Sequence, residues 1–196
     1  SEETGIPLTK INFLHIAQSI SSFIRDEFRL QETKLSNFVK GNVSLNKNEI
    51  EGAMIFYGKG GCSNCHSGKR FTDQNFHVVP FPQLGFGKNG FGVDYGRYNI
   101  TFNPDDLYKF RTPSLINVAL TKPYGHSGTV YSLSEAITAH FDPLSLVSFE
   151  KMSAFERFEF FKRLELSSIT RYVNFLDASE VDSLVAFLET LTFENE

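Results

Sequence analysis

Apolar positions recur at helical spacing in five stretches of the chain. Ile11, Leu14, Ala17, Ile20, Phe23, Ile24 and Phe28 share one face of a predicted helix, with Thr9 as its N-cap. The start, SEETGIP, reads as a short polar loop. It has no basic segment leading into an apolar one, so no signal peptide is expected there. A polar stretch then leads to Asn46, an N-cap with Glu49 three residues on. Ile50, Ala53, Met54 and Tyr57 form the packing stripe of the helix that follows, and Gly58, Gly60 and Gly61 end it. Ser132-Leu133-Ser134-Glu135 is a capping-box pattern that opens a helix through about His140, with Pro143 as a stop. Residues 149–166 read as one amphipathic helix with Phe149, Met152, Phe155, Phe158 and Leu164 among its apolar positions. Asp177 caps the last helix, with Glu180 at its third position and Val181, Leu184, Val185 and Leu188 inward.

Residues 67–131 break this pattern. They hold most of the glycines and prolines, with Phe76, Phe81, Phe86, Phe91, Tyr95 and Tyr98 scattered among them, and no long period survives. A stretch this long without regular structure, inside a compact domain, points to a segment that wraps a ligand. The fold class is therefore mostly α with long irregular loops and no internal repeat. Composition narrows the function. The chain has 196 residues, 41% of them hydrophobic and 21% charged, which excludes wholesale disorder and suits one domain or one and a half small ones. A net charge of -4 offers no electrostatic basis for nucleic-acid binding. No apolar run approaches the roughly 18 residues a membrane span needs.

The chemistry is concentrated in two cysteines and five histidines: His15, His66, His77, His126 and His140. Two cysteines three positions apart exclude a disulfide scaffold. Cys62-Ser63-Asn64-Cys65-His66 is instead C-x-x-C-H, the attachment signature of c-type haem. Two thiols one helical turn apart can add to the two vinyl groups of one porphyrin, and the adjacent histidine then meets the iron from the proximal side. A thioredoxin-like C-x-x-C would want a βαβ setting, which the pattern lacks, and a structural zinc site wants four ligands. Covalent haem c, one per chain, is the expectation. Because this haem is attached outside the bacterial cytoplasm, a periplasmic location follows from it. Buried propionates need cationic or polar partners, for which Arg97 and Arg111 are the candidates, with Tyr95 behind them.

The flanking residues extend the signal. The chain carries Phe71-Thr72-Asp73, Phe76-His77, Asp94-Tyr95-Gly96-Arg97, Lys109-Phe110-Arg111-Thr112-Pro113-Ser114-Leu115 and Pro123-Tyr124-Gly125-His126-Ser127-Gly128 in that order. Over roughly residues 10–190 it resembles the bacterial dihaem cytochrome c peroxidase and MauG family, in its C-terminal, electron-transferring haem domain. The resemblance implies a cytochrome c-like haem domain over 46–196. Residues 1–45 would be an N-terminal helix and linker that pack on it. A second haem domain or subunit would be its partner, a small redox protein its electron donor, and hydrogen peroxide the substrate of the whole enzyme. With only one C-x-x-C-H, the chain is a fragment, a natural monohaem relative, or one piece of a cleaved protein.

The same resemblance implies further site residues. Its distal ligand comes from the helix after Tyr124–Gly128, at the position where this chain has His140, so the haem would be bis-histidine through His66 and His140. His126 lies near the haem in this family and competes for the ligand role, as does Met152 from the next helix. His15 and His77 read as structural or surface residues, and Met54 as packing. Thr121 and Pro123 match positions that offer carbonyls to a calcium ion between the two haem domains. Ile116 departs from the family, which carries arginine there. Beside the peroxidase-domain expectation stand two others, a stand-alone monohaem electron carrier and a haem-based sensor.

Overall fold

A computed structural model describes residues 5, 7–27, 29–83, 92–167, 169 and 173–194. Phe28, Phe86 and Phe91, named above from the sequence, lie outside the described residues. The chain divides into two compact units, Ser1–Glu32 and Thr33–Glu196. The first unit holds a 3-10 turn, Leu8–Lys10, and helix α1, Phe13–Glu27. Thr9 sits inside that turn and does not cap the helix. Asn12 and His15 cap it reciprocally: the Asn12 Oδ1 accepts from the His15 N–H, and the His15 Nδ1 from the Asn12 N–H, each at 3.2 Å.

The second unit is built on a helix pair. Helix α2, Lys34–Val39, is short. Helix α3, Lys47–Tyr57, opens with the expected Asn46–Glu49 capping box, and α7, Ala178–Glu189, with that of Asp177 and Glu180. The two long helices cross at Gly52, where an added Cβ would lie 1.9 Å from the Ser183 carbonyl oxygen. That approach decides which face of α3 is buried. Glu49, Gly52 and Phe56 face inward, while Ile50, Met54 and Tyr57 are exposed, so the stripe read from the sequence is turned by the glycine. Phe56 joins Phe71, Val118, Leu176, Val181, Leu184, Phe187, Leu188 and Leu191 in the main core. Val185 is only partly buried, and Phe187 holds the interior in its place.

Among the described residues the irregular middle contains one short two-stranded pairing, β1 (Phe76–His77) antiparallel to β2 (Phe110–Arg111), with Phe76 opposite Arg111 and His77 opposite Phe110. Helix α4 is Tyr98–Thr101, and α5, Leu133–Thr138, begins at the Ser132–Glu135 capping box. The helix expected over 149–166 is interrupted. A 3-10 turn covers Phe149–Lys151, and α6 runs only over Ala154–Leu166. The cause is Ser153, whose extended backbone and side chain form a fresh capping box with Glu156. On α6 the buried residues are Glu159, Phe160 and Arg163, whereas Phe155 and Phe158 are exposed. They close a second, small core around Val78, Val93 and Tyr108, where the fully buried Tyr108 hydroxyl donates to Glu159 at 2.5 Å. Among the described residues, no helix is long and apolar enough to cross a membrane.

Candidate haem site

The cysteine motif is shaped by what precedes it. α3 ends at Gly58, and Gly61 takes a left-handed φ of 65°, which starts a 3-10 turn over Cys62–Asn64. At Gly60 there is no room for a side chain, because a Cβ would meet the Ile55 carbonyl oxygen at 2.8 Å and the Cys62 Sγ at 3.2 Å. The His66 N–H donates to the Cys62 carbonyl at 2.9 Å, so Cys62 and His66 stand one turn apart. Both thiols are free and partly buried. Burial pushes the Cys62 thiol up to about 11, and burial with the nearby Asp73 charge raises Cys65, so both are held as thiols.

The motif opens on a cavity of about 450 Å³, within the roughly 300–1,000 Å³ range of small-molecule sites. Cys62, Cys65 and His66 line one side of it. His140, just past the end of α5, lines it too. The imidazole rings of His66 and His140 have centroids 6.5 Å apart. Two imidazoles on opposite sides of one metal ion, at nitrogen distances of about 2.0–2.1 Å, have centroids roughly 6.3 Å apart. The donor chemistry agrees with that spacing. The His66 Nδ1 is hydrogen-bonded to the Phe71 carbonyl at 3.2 Å and the His140 Nδ1 to the Ala136 carbonyl at 2.8 Å. Carbonyls only accept, so each Nδ1 carries its hydrogen and each Nε2 keeps a lone pair. Burial, with His140 nearby, lowers His66 to about 4, and burial lowers His140 as well, so both rings are neutral. Two thiols, two neutral imidazoles with oriented lone pairs and an apolar wall fit a covalently held haem.

Most of the remaining predicted residues fall around this cavity. Arg111, His126, Thr121 and Pro123 line it, and Arg97 and Met152 do not. Arg97 pairs with Asp106 at 3.0 Å and lies 4.4 Å above the Phe76 ring. Arg111 stacks on the same ring at 5.5 Å and touches Gln74 at 3.4 Å. His126 lies on a short bulge between Tyr124 and Val130, stacked on Phe110 at 3.8 Å, with Nε2 bonded to Asp94 at 3.0 Å. Three neighbours were missed from the sequence. His77, read as structural or surface, lines the cavity and is bonded to Asp73 at 2.8 Å. Phe81 meets the His140 ring edge-on at 5.7 Å, and Gly125, at φ +80°, makes room for it. The Phe81 contacts with His140 and Gly125 join distant segments, so no spacing signal shows them, whereas His77 and Asp73 are only four residues apart.

The chain is 31% identical over 189 residues to the methylamine utilization protein MauG of Methylorubrum extorquens, covering 92% of this chain and 44% of that protein. It is 29% identical over 172 residues to the cytochrome-c peroxidase IdrP1 of Pseudomonas sp. strain SCT, covering 76% of this chain and 41% of that protein. The crystal structure of a MauG-like protein associated with microbial copper homeostasis superposes with a TM-score of 0.70 at 28% identity, over 95% of this chain and 59% of the other. No protein-family model matches the chain. The fold and the site define a c-type cytochrome domain, as expected from the sequence. The chain belongs to the family of the cytochrome-c peroxidases and MauG, and spans less than half the length of these curated relatives.

Proposed function

We propose that this chain is the electron-relay haem domain of a larger periplasmic cytochrome c peroxidase or MauG-like oxidoreductase, holding one covalent haem c. The observation that carries this reading is the pair of neutral imidazoles on one cavity, each with Nδ1 held by a backbone carbonyl. Cys62 and Cys65 would supply the thioether sulfurs, and His66 and His140 would supply nitrogen ligands to the iron. When bound, the haem supplies reversible one-electron chemistry at its iron. The carbonyls of Phe71 and Ala136 hold the two rings in one tautomer and one orientation, so little has to rearrange when charge changes. With His66 and His140 both held by the haem iron, this domain would offer peroxide no open position. Its reduction belongs to the second haem domain, with a small redox protein as electron donor.

The cavity wall supports the same assignment. Arg111 is the cation placed to meet a propionate, and His126, clamped by Asp94 and Phe110, adds a polar ring. Arg97 acts one layer behind, through Phe76. The carbonyls of Thr121 and Pro123 are oxygen donors of the kind calcium takes, and a full site would draw its remaining ligands from the partner domain.

The test is an anaerobic redox titration of the haem-loaded chain followed by spectra, then addition of peroxide. A six-coordinate low-spin spectrum that peroxide leaves unchanged is the expected result. His140→Ala should convert the spectrum toward high spin, and an unchanged low-spin spectrum would reject His140 as ligand. Rapid peroxide turnover by this chain alone would contradict the relay role.

A further inference from the structure

Cys65, Asp73 and His77 form a second donor set. Their ligand atoms all lie within 4.8 Å of one another, and no other three His, Cys, Asp or Glu side chains among the described residues come together in this way. The loop is built to hold them. The Asp73 N–H donates to the Cys65 carbonyl at 2.8 Å, which folds residues 65–73 back on themselves. The Asp73 Oδ1 accepts from the Asn75 N–H at 2.9 Å, and the Thr72 hydroxyl ties the loop to the Thr112 carbonyl at 2.7 Å. His77 is set by its place in β1 opposite Phe110, with Nε2 2.8 Å from the Asp73 Oδ2. The Asp73 and His77 side chains are largely covered, at 14% and 25% exposure, yet reachable.

One thiolate, one imidazole and one carboxylate, with a fourth position open to water, form a donor set suited to zinc-class divalent ions. We propose that the haem-free chain binds such an ion through the Cys65 Sγ, an Asp73 oxygen and the His77 Nε2. We further propose that this site and thioether formation at Cys65 exclude each other. On binding, the ion takes the place of the hydrogen between Nε2 and Oδ2, and that proton moves by way of solvent to Nδ1, so the imidazole stays neutral and releases none. The Cys65 thiol gives one proton to solvent as its sulfur bonds the metal. In haem attachment the same S–H bond adds across a vinyl group: sulfur bonds one carbon and hydrogen goes to the other. The resulting thioether has no thiolate to offer, so a chain carries the metal or the haem at Cys65. Only this exclusion rests on the haem assignment proposed above; the metal site stands on its own donors.

The test uses the full chain without haem, under reducing anaerobic conditions, with cobalt(II) as the probe. One cobalt per chain should bind with a sulfur-to-cobalt charge-transfer absorption in the near ultraviolet and release of one proton, and zinc(II) should bleach it. Cys65→Ser should abolish the absorption. Asp73→Asn and His77→Gln should weaken binding at least about tenfold. Cys62→Ser should change neither the absorption nor the affinity, since the Cys62 sulfur lies outside the cluster and contacts the Gly60 carbonyl at 3.7 Å. No absorption in the unaltered chain, or equal loss in Cys62→Ser and Cys65→Ser, would overturn the site. Unchanged cobalt affinity in the haem-loaded protein would overturn the exclusion. Failure of haem to attach at all would reject the haem assignment while leaving the cobalt result to be read.

Discussion

Around the cavity, His66 and His140 each donate from Nδ1 to a backbone carbonyl, which leaves the lone pair of each neutral ring on Nε2. In the small core around Val78 and Val93, Tyr108 gives its only proton to Glu159, and Arg163 lies 5.8 Å from the Tyr108 and Phe160 rings. There too polar atoms go without partners, since the Arg163 Nε and Nη1 have no hydrogen bond. Both regions bury polar side chains, yet they differ in what is left over. The cavity leaves lone pairs, which can ligate a metal ion, while Arg163 leaves N–H donors, which cannot. The unpaired atom, more than burial itself, distinguishes a place for chemistry from a place that holds α6 down.

Breaking each region separately sharpens this contrast. The largest effect belongs to Glu159→Ala, which strips the Tyr108 hydroxyl of its acceptor and leaves Arg163 without a nearby negative charge. It should cost about 3 kcal/mol or more, read as a fall in the urea midpoint. The haem-loaded variant should keep its low-spin spectrum; a change of spin state would mean that the two regions are coupled. Gly125→Ala should do the reverse. Its Cβ would come within 2.8 Å of the Phe81 ring at a φ of +80°, pushing Phe81 against His140. A stability loss of about 1–2 kcal/mol should be accompanied by a shifted haem absorption, and a silent spectrum would show that Phe81 does not position the ligand. The smallest effect is that of Tyr108→Phe, which keeps the ring and removes one hydrogen bond. About 1 kcal/mol of destabilisation is expected, with no spectral change, and a loss as large as that of Glu159→Ala would indicate that Glu159 acts mainly through Tyr108.

Much of the fold is legible in local signals. Asn46–Glu49, Ser132–Glu135 and Asp177–Glu180 announce three helix starts, and each forms the reciprocal cap its residues suggest. Ser153–Glu156 follows the same rule inside a continuous apolar pattern, and there the periodicity overrode the cap and placed one helix where a turn and a shorter helix stand. The face of α3 was misjudged for another reason. Ile50, Met54 and Tyr57 point outward because Gly52 admits the α7 backbone and Phe56 takes the core, and the gain from that close packing outweighs their exposure.

The site divides along the same line. Cys62, Cys65 and His66 needed only their spacing to be singled out, because the thioether attachment and proximal ligation proposed for them would be set within one turn of chain. His140 needed a family resemblance to be singled out, and His77, Phe81 and Gly125 were invisible as neighbours of the cavity. Those residues meet only when the irregular middle folds back on α5 and the cysteine turn. The sequence by itself determined the helix starts, the ligand chemistry and the motif that holds one end of a haem. Tertiary structure alone decided which histidine faces His66, which nitrogen of each ring stays bare, and which helix face is buried. These depend on contacts between segments many residues apart, which no local period encodes.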